Sequence, residues 1–498
     1  MNPFAPLLNA ARVLGQAANP ARVGREAARY RIAVPTDARS RLAAGWLMLG
    51  TAALVASGLF SLLLVVSRTP GINALIPVAD LFHVSLVVHV DLSVLVWFAA
   101  FGALLWAVAG SERRMSIGWA ALALCAGGTL LMAAAPFVQN AAPIMANYIP
   151  VLDGSMFLAG VVVFGLGVAL EVARALLYAR PVGESLDGAS ALRLGLLAAA
   201  VATAVALFAF VWSWRALPAG LAGKTYYELL FWGGGHVLQF TWTLLMLVAW
   251  LWLADAVGAA VPLSPRVSLL LFGLALALVF CTPFVYLAYD VTSVEHRKLL
   301  TWMMRAGGGL AILPVSLAVI LALWERGSVQ AQVRPLRAAL VMSLVLFGFG
   351  GLIGFAIQGS DVRIPAHYHG CIVGVTLAFM GLAYHLLPRL GFRAPVSRLA
   401  AIQPYVYGAG QLLHIIGLVW SGGYGVQRKV AGAAQVLGST QEVAGMALMG
   451  LGGLIAIIGG LLFVVVVLGA LRSRGRAAPM SPYLVARAQR EHRQWPTS

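Results

Sequence analysis

Long apolar runs recur along almost the whole chain, and they constrain its fold more than any other feature. A bilayer core needs about 20 apolar residues of α-helix to cross it, and helices satisfy their backbone hydrogen bonds within one segment. The sequence therefore predicts an all-α fold, a polytopic membrane bundle of about twelve transmembrane helices. The predicted spans are 41–66, 81–109, 116–137, 150–179, 190–214, 226–254, 266–289, 300–324, 336–357, 365–388, 401–420 and 443–471.

Composition supports this class and excludes others. The 498 residues are 61% hydrophobic and only 10% charged, which is typical of an integral membrane protein. The formal net charge is +17, but the basic residues are scattered between apolar runs. We therefore expect lipid headgroups rather than nucleic acid as the partner of this charge. The three cysteines form no CxxC or CxxCH pattern, so no disulfide, attached c-type haem or thiolate copper centre is predicted.

The distribution of Lys and Arg predicts an orientation. Most of the 34 basic residues fall in segments that share one side with the N-terminus, so both termini are expected in the cytoplasm. Three regions follow: a basic cytoplasmic arm over 1–40, a transmembrane domain over 41–472 and a cytoplasmic tail over 473–498. We expect a multi-pass protein of the inner membrane of a bacterium, without a cleavable signal peptide.

Two histidines open the tenth span. His367 and His369 are two residues apart, so on a helix their side chains point about 200° apart. Imidazole is a common axial ligand of haem iron, and this spacing suits two cofactors, one on each side of the helix. The alternative is a pair of interfacial histidines that hydrogen-bond to neighbouring helices.

Two further histidines lie at a similar depth. His89 is in the second span, close to the membrane carboxylate Asp91, and His236 follows the glycines 233–235 in the sixth. Ionisable residues at membrane depth are functional candidates, and glycines let a flat ring approach a helix closely. All three spans enter from the outer side, so their histidines predict one cofactor layer near the outer surface. Each histidine could instead serve helix packing alone.

Other polar residues are predicted to have lesser roles. His296 is expected to be an exposed interfacial residue, and Glu171 a charge that reaches the cytoplasmic surface. His385 and His414 are expected to serve packing, apart from the histidine layer. Arg428 and Lys429 lie in an outer loop, where they would bind haem propionates or form a solvated basic pair.

These motifs together resemble subunit I of the haem-copper oxidase superfamily, which includes cytochrome c oxidases and the nitric oxide reductase large subunit. The motifs are HVDLSVLVW in the second span, FWGGGHVLQF in the sixth, AHYHG at the start of the tenth and VQRKVAG in the loop after the eleventh. The resemblance implies two haems. His89 and His369 would be axial ligands of a low-spin haem, and His367 the proximal ligand of a high-spin haem.

The resemblance also implies roles for the remaining candidates. His236 would be a catalytic ligand of a second metal, copper or non-haem iron, opposite the high-spin haem. Arg428 and Lys429 would bind the propionates. The implied function is a respiratory oxidoreductase that reduces oxygen or nitric oxide, with electrons supplied by a donor subunit or a cytochrome c.

The chain departs from the family's pattern at the second metal. The family's seventh span carries two adjacent histidines, where this chain has Leu287 and Ala288. Tyr289, Asp290 and His296 are the nearby candidates to replace them. A single histidine is a poor site for a divalent ion. The alternative function is therefore a divergent haem-binding subunit without the second metal, acting in electron transfer or gas binding.

Overall fold

Each of the twelve apolar runs forms a helix, or consecutive helical segments, in the computed structural model, which describes residues 29–66, 81–182, 185–357, 359, 361–428 and 437–472. The predicted polytopic all-α bundle is thereby confirmed. The helices are α1 (Ala38–Val66), α2 (Leu81–Val90), α3 (Trp97–Ala109), α4 (Met115–Val138), α5 (Ser155–Leu177), α6 (Gly188–Ala216), α7 (Gly223–Ala256), α8 (Pro265–Val279), α9 (Cys281–Ala288), α10 (Val294–Arg326), α11 (Arg334–Phe355), α12 (Arg363–Leu386), α13 (Arg398–Gly423) and α14 (Thr440–Arg472).

Eleven spans within the described residues are long and apolar enough to cross a membrane. The remaining long helix, α13, has the right length but carries Gln403, Gln411 and His414 in its interior. It packs closely against α14 through glycines, so its polar residues face other helices.

Two spans contain interruptions that apolar patterning does not reveal. A π-helical turn over Asp91–Val96 joins α2 to α3 directly after His89, and α8 passes into α9 at Phe280. Such π turns are often found at functional sites. Between α4 and α5, a short antiparallel hairpin pairs β1 (Ala142–Ile144) with β2 (Val151–Asp153).

The most enclosed spans are α2–α3, α7 and α12, and these three carry all four predicted site histidines. Aromatic side chains fix α3 against α12. The rings of Phe101 and Phe379 stack with centroids 4.4 Å apart, and Trp97 meets Phe379 edge to face. The histidine-bearing helices therefore form the rigid centre of the bundle.

The prediction for Glu171 is wrong. The residue is fully buried on α5 and does not reach the surface. Its carboxylate forms a two-pronged ion pair with Arg174 one turn later, at 2.6 and 2.9 Å. Gly118 on α4 leaves room for this guanidinium, so the two charges neutralise each other inside the bundle.

Candidate functional site

His89 is oriented by the neighbouring helix α1. Its Nδ1 lies 3.0 Å from the carbonyl oxygen of Ser57 and 2.9 Å from the Ser57 hydroxyl. A proton on Nδ1 donated to that carbonyl leaves the lone pair on Nε2. Among the described residues, none hydrogen-bonds to this Nε2. Although His89 lies deep in the bundle, its neighbours do not cover it completely.

His369 faces the same region from α12. It lies close enough to both His89 and His414 to interact with them electrostatically. Its ring meets the His414 ring with centroids 4.7 Å apart and planes inclined by 65°. The prediction that His414 stays apart from the histidine layer is therefore wrong.

The position of His414 follows from the direction of its helix. Counting back from the end of α13 at Gly423, His414 is nine residues inside, or about 14 Å at 1.5 Å per residue. His89 lies about 12 Å from the start of α2 by the same measure. The depth of His414 follows from its position in the sequence, and it is similar to that of His89. Counting from the outer end of the eleventh span would therefore have placed His414 in the histidine layer.

His367 points to the other side of α12, towards α11. Its Nδ1 is 2.7 Å from the carbonyl oxygen of Gly350. A Cβ on Gly354 would lie 2.9 Å from Cε1 of His367, so a glycine is needed beside the ring. His367 and His369 thus serve opposite sides of one helix, as their spacing predicts.

His236 has a different environment. Its Nδ1 is 2.7 Å from the Trp232 carbonyl oxygen, and its Nε2 is 2.9 Å from the hydroxyl of Tyr148 and 3.3 Å from that of Thr301. With Nδ1 as donor, the lone pair of Nε2 accepts from the Tyr148 hydroxyl, because the Thr301 hydroxyl donates to the Arg297 carbonyl at 2.8 Å. Tyr148 reaches this position from the loop between β1 and β2. The sequence does not predict Tyr148 as a partner of His236, because this loop has no apolar periodicity.

The three glycines before His236 do make room for flat rings. A Cβ on Gly233, Gly234 or Gly235 would overlap Tyr286, Phe210 or Tyr148, respectively. Aromatic side chains of three other segments therefore fill the space beside α7.

The prediction that His296 is exposed is wrong. The residue is fully buried, and neither of its ring nitrogens has a hydrogen-bond partner within the described part of the chain. Its ring packs edge to face on Tyr286 at 4.6 Å, and it interacts electrostatically with His236. The reason is that α10 begins at Val294, capped by Ser293, six residues before the predicted span.

The residues present do not assemble a second-metal site of the expected kind. In the described ranges, no group of three or more His, Cys, Asp or Glu side chains is placed to hold a metal ion. Leu287 is 72% exposed and Tyr289 is 40% exposed, so these two side chains lie outside the packed interior that holds His236. By contrast, His89, His369 and His367 border the two sides of α12 with donor nitrogens that fit haem iron.

One basic residue of the predicted pair can be placed. Nη1 of Arg428 is 3.3 Å from the hydroxyl of Tyr368, the residue between the two histidines of α12. The preceding loop is tied to α12, since the Val362 nitrogen donates to the Val426 carbonyl at 3.0 Å. Lys429 lies outside the described residues. A further arginine, Arg363, is at the same end of α12 and pairs with Asp361.

Comparison with known proteins covers most of the chain. The family model described as "Cytochrome C and Quinol oxidase polypeptide I" matches residues 41–462. An uncharacterized protein of Rickettsia prowazekii (strain Madrid E) is 28% identical over 492 residues, spanning 85% of this chain and 94% of the relative. An uncharacterized protein of Aquifex aeolicus (strain VF5) is 27% identical over 371 residues, spanning 72% of this chain and 88% of the relative.

Proposed function

Because the chain belongs to the cytochrome c and quinol oxidase polypeptide I family, we propose that it is a two-haem electron-transfer protein of the membrane. One low-spin haem is held between His89 and His369. A second, high-spin haem is held by His367 alone and binds a diatomic gas, oxygen or nitric oxide.

A single contrast between the histidines carries this proposal. His89 and His367 each direct Nδ1 at a backbone carbonyl oxygen, which fixes the ring and leaves Nε2 as the donor towards iron. His236 also directs Nδ1 at a carbonyl, but its Nε2 is engaged by Tyr148. The chain thus supports two haem irons better than a haem and a second metal.

The protein's own residues then perform distinct tasks. The bound haems supply one-electron redox chemistry and an open coordination position for a gas. His89 and His369 would together hold one haem iron and keep small ligands away from it. His367 would be the single protein ligand of the other iron and would leave it open to a gas.

The electron donor is expected at the end of the bundle that carries Arg428. Arg428 would bind haem propionates there, and Lys429, the next residue in the sequence, would add a second basic group for them. A donor subunit or a cytochrome c is expected to dock at this end, where Arg428 lies beside the helix that carries His369.

A second candidate function is reduction of oxygen or nitric oxide with a second metal, copper or non-haem iron. One observation favours it: the buried imidazole of His296, which has no hydrogen-bond partner among the described residues, lies near His236. A buried polar group without a partner calls for an explanation, and a metal would provide one.

The two functions differ in cofactor content. We would measure haem and metal stoichiometry on the purified protein, together with the spectrum of the reduced protein with and without carbon monoxide. We expect two haems per chain, one of which binds carbon monoxide, and no third metal. A stoichiometric copper or additional iron would favour the second candidate, and a protein without haem would overturn both.

Ligand variants test the assignment of each haem. His89→Ala and His369→Ala are expected to remove the low-spin haem spectrum and keep the carbon monoxide complex, whereas His367→Ala should do the reverse. His385→Ala is the matched control, because His385 is buried at the opposite end of the same helix. Equal loss of both haems from each of the three ligand variants would contradict the assignment.

A further inference from the structure

The ring of His369 is held differently from those of the other proposed haem ligands. His89 and His367 are each fixed by a hydrogen bond from Nδ1 to a carbonyl of a neighbouring helix. No residue of the described ranges hydrogen-bonds to either nitrogen of His369. Instead, the His414 ring packs against it at 4.7 Å.

His414 is itself fixed from a third helix. Its Nδ1 lies 2.9 Å from the carbonyl oxygen of Met449 on α14. Glycines bring α14 close enough for this contact. A Cβ on Gly452 would overlap the backbone nitrogen of His414, and one on Gly453 would lie 3.3 Å from its Nδ1.

On these contacts, and on the proposed bis-histidine haem, we infer that His414 is a positioning residue that sets the plane of the His369 imidazole. The inclined contact blocks rotation of the His369 ring about its bond to Cβ. The Met449 carbonyl in turn prevents the His414 ring from rotating away. Although α14 supplies no proposed ligand, it controls the angle between the imidazole planes of His89 and His369, which would tune the electronic state of an iron held by the two rings.

The angle between axial imidazole planes can be measured directly. The largest g value in the electron paramagnetic resonance spectrum of an oxidised low-spin haem depends on it, and so does the midpoint potential. We expect His414→Ala to shift this g value while the protein keeps both haems. His414→Phe retains an aromatic ring at the contact and should move the signal back towards that of the unmodified protein.

A second pair of variants approaches the same contact without changing His414. In Gly453→Ala, the added methyl group presses on the His414 ring. This variant should shift the g value of the low-spin haem although all the histidines are retained. Gly450→Ala is the matched control one turn earlier, because an added methyl group there meets nothing within 4 Å. This pair keeps the test informative if His414→Ala does not fold.

The outcomes separate this inference from the proposed function. A protein that shows no six-coordinate low-spin haem overturns the proposed function itself. If that haem is present and neither His414→Ala nor Gly453→Ala moves its g value or potential, the positioning role is wrong. Loss of the low-spin haem alone in both His414→Ala and His414→Phe would make His414 a ligand and also overturn the inference.

Discussion

At the scale of single residues, Tyr148 is the partner that most clearly distinguishes His236 from the proposed haem ligands. Tyr148→Phe removes the 2.9 Å hydrogen bond to Nε2 and leaves that nitrogen without its closest partner. We expect a loss of about 1 kcal/mol in the free energy of unfolding, measured by thermal melting in detergent.

The control for this change is Tyr405→Phe, which removes the same hydroxyl from an exposed position on α13. Equal melting temperatures for the two variants would show that the Tyr148–His236 bond adds nothing to stability. A stoichiometric metal in the Tyr148→Phe protein alone would show that the hydroxyl competes for Nε2.

The sequence predicts some of these residues and not others. His89, His236, His367 and His369 stand out because a histidine in an apolar run is costly and rarely incidental. Tyr148 does not stand out, because its loop lacks any periodic pattern. The burial of His296 depends on a helix that starts within a polar segment, and only the fold reveals it.

At the scale of elements, the crossing of α11 and α12 positions His367. A Cβ on Gly370 would lie 2.7 Å from the backbone nitrogen of Gly350, whose carbonyl holds the His367 ring. We expect Gly370→Ala to push α11 away and lower the amount of carbon monoxide-binding haem by about tenfold, while the low-spin haem remains. Carbon monoxide difference spectra per protein would measure this.

Gly351→Ala is the matched control on α11, since an added methyl group there meets nothing within 4 Å. Normal carbon monoxide binding in both variants would mean that the Gly350 carbonyl does not orient the ligand.

The start of α12 predicts a pH-dependent stability. A hydrogen bond from the Arg363 side chain holds the pKa of Asp361 below its ordinary value. A carboxyl whose pKa is lowered in the folded state stabilises the fold at pH values above its unfolded pKa of about 3.9. This stabilisation is lost as the pH falls through the folded-state pKa. At neutral pH, the free energy of unfolding of Asp361→Asn should therefore be about 1 kcal/mol lower than that of the unmodified protein, as measured by thermal melting. In acid, the two proteins should have the same stability.

Glu295→Gln makes the same change of charge at an exposed position and serves as its control. A difference between Asp361→Asn and the unmodified protein that persists unchanged down to about pH 2, below the ordinary carboxyl pKa, would contradict the ionic origin of the effect.

The transmembrane helices were more predictable from the sequence than the irregular turns within them. Every apolar run became a helix because lipid offers the backbone no alternative partners. The π turn after His89 was not predictable, because apolar patterning does not distinguish a π turn from an α-helix. The break at Phe280 does have a sequence signal: Pro283 has no N–H to donate to the carbonyl of Val279, where α8 ends.

At the scale of the whole molecule, the twelve spans and the bias of Lys and Arg predict that both termini lie in the cytoplasm. Green fluorescent protein fused to the C-terminus should fluoresce, and alkaline phosphatase fused after Gly425 should be active. The reverse result would mean that the bundle has the opposite orientation in the membrane. The histidine layer would then lie near the cytoplasmic side, and the electron donor would be expected there.

The π turn at Asp91–Val96 has a consequence for how such a gene can change. The turn accommodates one residue more than an α-helix would, between His89 and the aromatic core of α3. Deleting one codon within it would restore a regular helix and leave α2 and α3 in nearly their present orientation, because the extra residue is confined to the turn. A codon deletion within α2 or α3 would instead rotate one part of the span by about 100° relative to the other, so that His89 and Trp97 could not both keep their neighbours. We therefore expect single-codon deletions to be tolerated better in this turn than in the helices on either side of it.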